Sequence, residues 1–201
     1  MSFCDEFALS SSVGGFGWIE ETGFMRRCGH ALIEGGRVWL VDPFEHDGLD
    51  GRVRAAGDPA GVIQLLDRHG RDCAAIAQRL GVPLHRLEVP APFEAIRLAT
   101  PPRWEEVALW WPEPRVLVVA EALGTARFYR APGERLAVNP VLRLAPPRRL
   151  GRLVPERILC GHGEGVHEEA AGALREALAT ARRRLPAYVW GGLRAHGLKR
   201  R

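Results

Sequence analysis

The densest run of potentially reactive side chains in this 201-residue sequence is DRHGRDC, residues Asp67–Cys73. A histidine such as His69 changes its charge near neutral pH, so it could donate a proton or bind a ligand. Cys73 stands where a helical pattern begins, a position that lowers the pKa of a thiol and favours a nucleophile. The sequence shows no orienting base for that thiol, and no GxSxG, Walker or GxGxxG motif follows a strand.

The residues on either side of this segment predict a strand–loop–helix unit. The apolar run 61–66 (GVIQLL) predicts a strand that leads into the loop. Residues Cys73–Leu80 have helical spacing and end at Gly81, a residue typical of a helix C-terminus. Residues 83–89 (PLHRLEV) predict a further strand after only two residues, which completes a βαβ-like crossover.

Four further apolar runs predict two β-hairpins. They are HALIE (30–34) with RVWLVD (37–42), and EVALWW (106–111) with RVLVVA (115–120). Residues 127–150 are rich in proline and arginine and hold few clear elements, and RILC (157–160) predicts a strand before Gly161-His162-Gly163. Glu168–Leu185 predicts the longest helix, because its apolar residues fall on one face. That face comprises Leu174, Leu178, Ala181 and Leu185.

The order of these elements predicts one domain over residues 1–201, with a core at about 28–185 and a basic C-terminal tail at 186–201. No linker, repeat or low-complexity segment divides the chain. Two β-rich halves with helices alongside predict an α/β protein, a four-layer sandwich with two sheets packed inside.

In four segments the sequence resembles the metallo-β-lactamase superfamily. They are VDPF (Val41–Phe44), DRHGRDC (Asp67–Cys73), VALWWPEPRVLVVAEALGT (Val107–Thr125) and ILCGHG (Ile158–Gly163), in the family's order and spacing. The resemblance covers roughly residues 28–185 and implies the αββα fold of that family. It also implies metal-dependent hydrolysis, because the family's HxHxDH loop and closing GHG supply metal ligands.

Most of the ligands that the resemblance implies are absent here. With Asp72 aligned on the family's aspartate, Arg68 and Gly70 stand at two histidine positions and Cys73 at the last one. An arginine stays protonated in a protein and a glycine has no side chain, so neither can bind a metal ion. The family's third histidine is expected near residues 102–106 (PRWEE), and none is there.

The resemblance leaves Asp72, Cys73, Glu121 and His162 at ligand positions, with Glu121 in place of a bridging aspartate. Asp72, Cys73 and His162 could hold a single ion, since oxygen, sulfur and nitrogen all bind zinc. The interpretation we favour is structural: Asp72 caps the helix, Cys73 is a small buried hydrophobic residue, and His162 is hydrogen-bonded at a strand end. The sequence thus predicts no bound cofactor, with zinc or iron as the less favoured alternative.

Two arginines of the loop offer another way to stabilise the remaining carboxylates. A buried carboxylate without its metal ion is costly unless it is paired, and a guanidinium group can bind a carboxylate through two hydrogen bonds. We therefore hypothesise that Arg68, Arg71 or both replace the metal's charge. They would form a salt-bridged pocket with Glu121 and Asp72.

His69 is offset by one residue from both histidine positions of the family loop. We expect its side chain to point differently from a family ligand unless the loop is remodelled. As a proton donor or ligand-binding group it remains, with Asp72 and His162, a candidate catalytic residue.

These observations leave three functions open. The first is a protein of this fold with a degenerate metal site, not a conventional two-zinc hydrolase, that binds a small molecule or has a structural or regulatory role. The alternative is a hydrolase of an ester, thioester or phosphoester with an atypical single-metal site. The third is an interaction module whose basic tail, Arg194–Arg201, binds an acidic partner.

Charge and composition argue against several other classes. The net charge of +4 comes almost entirely from arginine, since Lys199 is the single lysine, and we interpret it as a coding bias rather than a nucleic-acid-binding surface. No apolar run approaches the ~20 residues of a membrane span. Four scattered cysteines without a CxxC pair, and no recognisable secretory leader, predict reduced thiols in the cytoplasm.

Overall fold

A computed structural model describes residues 2–197 of the chain, and side chains as far as residue 191. The strands in this range are β1 (Ser2–Ala8), β2 (Val13–Ile19), β3 (Cys28–Glu34), β4 (Arg37–Val41), β5 (Asp58–Gln64), β6 (Leu84–Arg86), β7 (Glu94–Arg97), β8 (Val107–Trp111), β9 (Val116–Val119), β10 (Leu123–Gly124), β11 (Ala137–Val138) and β12 (Arg157–Cys160). The α-helices are α1 (Leu49–Ala56), α2 (Cys73–Leu80), α3 (Ala170–Thr180) and α4 (Leu185–Gly197), and 3₁₀ helices lie at Pro140–Leu142 and Arg148–Arg152.

The larger sheet contains six strands in the order β1-β2-β3-β4-β5-β6. The first four strands are antiparallel neighbours, because short connections join them. The predicted hairpin of β3 and β4 is confirmed, and its turn residues Gly35 and Gly36 have φ angles of 58° and 77°, which favour glycine. β4, β5 and β6 are parallel, since α1 and α2 lie in the crossovers between them.

The smaller sheet has the order β12-β9-β8-β7, and β10 pairs with β11 in a separate ribbon. β12 is parallel to β9, and the predicted hairpin of β8 and β9 is confirmed. One apolar cluster joins α1 and α2 to the larger sheet; a second lies between the two sheets and continues to α3. These layers confirm the α/β four-layer αββα sandwich.

β1 and β2 precede the range that the sequence predicts as the core. The sequence pattern does not predict them, because β2 (VGGFGWI) contains three glycines, which weaken a strand signal. These glycines permit close strand contacts: a Cβ atom on Gly14 would lie 2.6 Å from the carbonyl oxygen of Phe7. Phe16 and Trp18 of β2 are buried, so the packed interior begins before residue 28.

The predicted helix Glu168–Leu185 is wrong as a single element, since it is divided between α3 and α4. The division falls at a turn where Arg182 Nε donates to the carbonyl oxygen of Leu144 and Arg184 Nη1 to that of Pro132. α4 also covers most of the predicted basic tail, 186–201, whose last residues, 198–201, lie outside the described range. None of the helices in the described range is long and apolar enough to cross a membrane.

The carboxyl ends of four strands bring polar residues to one edge of the sandwich. Asp42 follows β4, the loop with His69 follows β5, Glu121 follows β9, and His162 follows β12. β4 and β5 are parallel in one sheet, and β9 and β12 are parallel in the other, so each pair ends at the same edge. The topology therefore places these four side chains together.

Candidate metal centre

Two buried histidines face each other at this edge. His69 Nε2 lies 3.4 Å from His162 Nε2. Each ring is held by its other nitrogen: His69 Nδ1 lies 3.2 Å from Asp42 Oδ2, and His162 Nδ1 lies 3.2 Å from the carbonyl oxygen of Met25. Because carboxylate and carbonyl oxygens only accept, both Nδ1 atoms carry the proton and donate, and both Nε2 atoms have a free lone pair. Two acceptor atoms thus converge on one point, which is unfavourable unless a cation lies between them.

Glu121 brings a carboxylate to the same point. Its Oε1 lies 4.0 Å from His162 Nε2, and donor atoms of His69, Glu121 and His162 lie within 4.8 Å of one another. Two nitrogens bound to one tetrahedral zinc ion at about 2.0–2.1 Å would be about 3.3 Å apart, close to the separation of the two Nε2 atoms. Two histidines and one carboxylate form the ligand set of many catalytic zinc sites and of mononuclear iron sites.

Both histidines are electrically neutral at neutral pH. Burial, followed by the charge of Arg71, lowers the pKa of His69 below its usual value. The same two causes, with His69 next, lower the pKa of His162 to about 3. Metal binding needs a neutral imidazole with a free lone pair, so this pair does not have to lose protons before it binds an ion.

Arg68 and Arg71 take different positions in the loop. Arg68 Nη2 donates to Glu121 Oε2 at 2.7 Å, and its guanidinium group lies 4.6 Å from the ring centre of Trp104. Arg71 is partly buried and donates to the carbonyl oxygens of Cys28, Asp42 and Gly161. The carboxylate pairing hypothesised for both arginines is thus present for Arg68, whereas Arg71 bonds backbone at three strand ends.

The sequence predicts that the Asp72 side chain caps α2, and the structure does not confirm this. Its Oδ2 accepts a hydrogen bond from the Glu45 amide at 2.8 Å, and α2 has no side-chain cap. Asp72 therefore ties the loop to the residues after β4 and is not part of the donor group of His69, Glu121 and His162.

Cys73 is a small buried residue, which agrees with the structural interpretation. Its Sγ lies 3.8 Å from the carbonyl oxygen of Pro43 and 3.6 Å from that of His69. Burial, and then the charge of Asp42, raises the pKa of this thiol to about 12, which argues against a nucleophile. The ligand set considered from the sequence, Asp72, Cys73 and His162, is not brought together.

His69 lies between the two aligned histidine positions, 68 and 70, and its ring is directed at His162. Its amide donates to the carbonyl oxygen of Leu66 at 3.0 Å, which closes a turn directly after β5. Arg71 then has a φ angle of 37°, in the left-handed region. From the sequence we expect the His69 side chain to point differently from a family ligand unless the loop is remodelled; in the structure its Nε2 faces His162. The signal in the sequence was Asp42, which follows a buried strand and supplies the carboxylate that orients the ring.

Glu106 is a buried carboxyl beneath this centre that sequence reasoning missed. Its Oε1 accepts from the amides of Glu121 and Ala122, both at 2.9 Å, and its Oε2 accepts from Trp104 Nε1 at 3.0 Å. Burial raises the pKa of Glu106 to about 7 despite these three donors. Glu106 thus fixes the backbone that carries Glu121, and nothing in its strand sequence distinguishes it from an exposed glutamate.

Replacing Glu106 with glutamine is expected to change how stability depends on pH. A raised pKa means that the folded chain holds a proton that the unfolded chain releases, so the stabilisation is complete below about pH 4.5 and is lost as the pH rises through 7. Relative to Glu106→Gln, the wild type should lose about 3 kcal/mol of unfolding free energy between about pH 5 and pH 8. Urea denaturation of both proteins in a chelator, at several pH values, measures this difference. Parallel pH curves would contradict it.

Comparison with known proteins identifies the fold and no close relative. No family model matches the sequence, and no curated protein matches it. The chain is similar to a fragment of a putative diflavin flavoprotein from Nostoc sp. PCC 7120, with 12% identity and a TM-score of 0.61 over 90% of this chain and 97% of that one. It is also similar to a metallo-β-lactamase from Hirschia baltica, with 12% identity and a TM-score of 0.55 over 89% of this chain and 95% of that one.

A third similar structure is the protein TTHA1623 in a di-iron-bound form. It is 19% identical, with a TM-score of 0.56 over 80% of this chain and 96% of that one. Together these likenesses show that the chain has the metallo-β-lactamase fold, as the resemblance in sequence implied. Identities this low show the fold alone, and a fold hosts many activities.

Proposed function

We propose that this chain binds one zinc or iron ion through His69, Glu121 and His162, and that the single ion serves the hydrolysis of a small ester, thioester or phosphoester. The observation that carries the proposal is the convergence of two Nε2 lone pairs, 3.4 Å apart, on rings whose Nδ1 protons are already bonded. Such outer hydrogen bonds are what orients histidine ligands in metal sites.

The donor set fits one ion rather than two. Among the described residues, no other histidine, cysteine or carboxylate joins His69, Glu121 and His162 in this group. Glu121 offers Oε1 toward the histidines, and its Oε2 accepts from Arg68. The Arg68 guanidinium therefore provides a positive charge on the side of Glu121 away from His162, as a second metal ion would.

A bound divalent ion would lower the pKa of a water molecule and polarise a carbonyl or phosphoryl oxygen. The chain's own residues prepare for this. Asp42 and the Met25 carbonyl keep both imidazoles in the tautomer that binds a metal. The side chain of Arg68 is half exposed, at 50%, so its remaining N–H groups can bind an anionic group of a substrate.

The likenesses to known structures support a metal centre without identifying the ion. One similar protein is named as a metallo-β-lactamase and another was solved in a di-iron-bound form. A mononuclear site with two histidines and a carboxylate suits zinc or iron equally by ligand type. The substrate, an ester, thioester or phosphoester, is likewise part of the proposal and is not given by these likenesses.

A second candidate function is a metal-free pocket, and the arginines favour it. The positive charge of Arg71 acts on both histidines and opposes a further cation. Arg68 already pairs with Glu121 at 2.7 Å. In this alternative the two arginines replace the metal's charge, and the protein binds a small molecule or has a structural or regulatory role.

Metal analysis of the untagged protein separates these two functions. We expect His69→Ala and His162→Ala each to contain one equivalent of zinc or iron less than the wild type, because each removes one of three ligands. His85→Ala is the matched control: His85 is a partly buried histidine on β6, outside the donor group. Hydrolysis of chromogenic esters, thioesters and phosphoesters should be lost in the same two variants. Unchanged metal content in both would contradict the proposal and favour the metal-free pocket.

A further inference from the structure

A second group of potential ligands lies outside the metal centre, between β1 and β3. Cys4 Sγ and Cys28 Sγ are 3.6 Å apart. Asp5 Oδ2 lies 3.6 Å from Cys4 Sγ and 3.8 Å from Cys28 Sγ. His30 Nδ1 lies 4.0 Å from both Cys28 Sγ and Asp5 Oδ2. The ligand atoms of Cys4, Asp5 and Cys28 thus lie within 4.8 Å of one another, and the nitrogen of His30 lies beside this group.

These side chains meet because Gly17 leaves space between them. Cys4 and His30 are both register partners of Gly17, which lies on the intervening strand β2. A Cβ atom on Gly17 would be 3.0 Å from His30 Nδ1 and 3.1 Å from Cys4 Sγ. The glycine therefore opens a cradle over β2 into which side chains from both neighbouring strands point.

The ring of His30 is oriented as a ligand would be. His30 is 1% exposed, and its Nε2 lies 3.0 Å from the carbonyl oxygen of Cys160. Because that oxygen can only accept, Nε2 carries the proton, and the Nδ1 lone pair faces the thiols and the carboxylate. A metal-bound histidine is held in the same way by the nitrogen that does not bind the metal.

Hydrogen bonds also fix the orientation of the Asp5 carboxylate. Its side chain is 2% exposed, and its Oδ1 accepts from the Gly165 amide at 2.7 Å and from His167 Nε2 at 2.8 Å. The residue lies at an irregularity in the β1–β2 ladder and has a φ angle of 50°. A left-handed backbone at a non-glycine residue is costly and recurs at functional sites. Here it directs Oδ2 toward the two sulfurs.

The distances among Cys4, Asp5 and Cys28 agree with tetrahedral zinc coordination, and His30 Nδ1, at 4.0 Å from Cys28 Sγ and from Asp5 Oδ2, would move about 0.5 Å closer to become the fourth ligand. Zinc binds sulfur at about 2.3 Å and oxygen at about 2.0–2.2 Å, so two sulfurs on one ion lie about 3.8 Å apart, and a sulfur and an oxygen about 3.5 Å apart. The three observed separations among Cys4, Asp5 and Cys28 are 3.6, 3.6 and 3.8 Å. A disulfide would need the sulfurs to close to about 2.05 Å.

We propose that Cys4, Asp5, Cys28 and His30 form a structural zinc site. All four ligands would come from the protein, and the side chains of Asp5, Cys28 and His30 are buried while Cys4 is partly exposed, which suits structural rather than catalytic zinc. The ion would join β1 to β3. Through the Asp5 bonds to Gly165 and His167 it would also join β1 to the segment after His162. The site thus stabilises the strand ends that carry the metal centre, whatever that centre does.

Cobalt(II) titration of the full chain, after removal of metal by a chelator, tests this site. Thiolate bound to cobalt gives a charge-transfer band in the near ultraviolet, which a site of histidines and carboxylate alone does not give. We expect this band in the wild type and in His162→Ala, and its loss in Cys4→Ser and Cys28→Ser. Cys73→Ala, which removes a buried thiol outside the group, is the matched control and should keep the band.

Thermal unfolding with zinc supplies the second measurement. Zinc should raise the Tm of the wild type and of Cys73→Ala, because an ion that binds only the folded chain stabilises it. This rise should be lost in Cys4→Ser, which remains informative if Cys28→Ser does not fold, since Cys4 is partly exposed. A wild type without the thiolate band, a band that persists in Cys4→Ser, or a Cys4–Cys28 disulfide in the purified protein that leaves no cobalt site would each overturn the proposal.

Discussion

Arg71→Met is expected to lower the unfolding free energy by about 4 kcal/mol, because it leaves two buried carbonyl groups without a donor and removes one of two donors from a third, Gly161, whose oxygen also accepts from the Cys28 amide. Arg71 donates to the carbonyl oxygens of Cys28, Asp42 and Gly161 at 2.7, 2.8 and 3.0 Å. These oxygens belong to the start of β3, the end of β4 and the end of β12. One guanidinium group thus holds together both sheets at the edge where the metal centre lies, and methionine can fill its volume but cannot replace its hydrogen bonds.

Chemical denaturation of Arg71→Met measures this loss of unfolding free energy. Two other variants, Arg79→Met and Arg71→Lys, serve for comparison. Arg79→Met removes an arginine that is 40% exposed and pairs with Glu45 and Asp50 on the surface, so it should cost less than about 1 kcal/mol. Arg71→Lys should fall between the two, since one ammonium group cannot span three carbonyls. If Arg71→Met were as stable as Arg79→Met, water would be satisfying the three oxygens, and Arg71 would not hold the strand ends together.

The fold could be predicted from the sequence because its signals are local. The spacing of apolar residues predicts the two hairpins and α2, and Gly35-Gly36 predicts the turn between β3 and β4. The order of four short segments then indicates the αββα arrangement. β2 is not predicted in this way because its glycines are explained by close contacts with Phe7 and His30, which only the folded chain brings near.

The sequence predicts where the candidate site lies, but not which residues form its donor group. Residues 67–73 and His162 do lie at one edge, as the resemblance implies. The choice between His69 and its neighbours depends on the turn closed by the Leu66 carbonyl and on the bonds of Arg71, which no residue pattern encodes. Aligning residue types alone therefore points to Asp72 and Cys73, whose side chains are engaged elsewhere.

The segment 127–150, which shows few regular elements in sequence, is organised around a buried ion pair. Arg143 is 0% exposed, and its Nη1 and Nη2 lie 3.0 and 2.6 Å from Glu134 Oε1 and Oε2. Nη2 also donates to the carbonyl oxygen of Tyr129 at 2.8 Å. The ring of Tyr129 stacks on His162, with 5.8 Å between the ring centres. The ion pair thus supports one wall of the candidate metal centre through a single intervening residue, Tyr129.

Arg143→Met is expected to cost about 3–5 kcal/mol of unfolding free energy, because it leaves the Glu134 carboxylate buried without its partner. The double variant Arg143→Met with Glu134→Gln should recover about half of that loss, since the uncompensated charge is gone while the glutamine oxygen can still accept from the Ala131 amide.

Denaturation of the wild type, Arg143→Met, Glu134→Gln and the double variant gives a double-mutant cycle. A coupling free energy well above about 1 kcal/mol would mean that charge pairing, rather than lost packing, carries the effect. If the double variant were as unstable as Arg143→Met alone, the cost would come from the orphaned Tyr129 carbonyl and the cavity. Metal content distinguishes these cases further. A Tyr129 ring released by the lost bond would loosen His162 and lower the metal content of the protein, whereas an effect confined to Glu134 would leave the metal content unchanged.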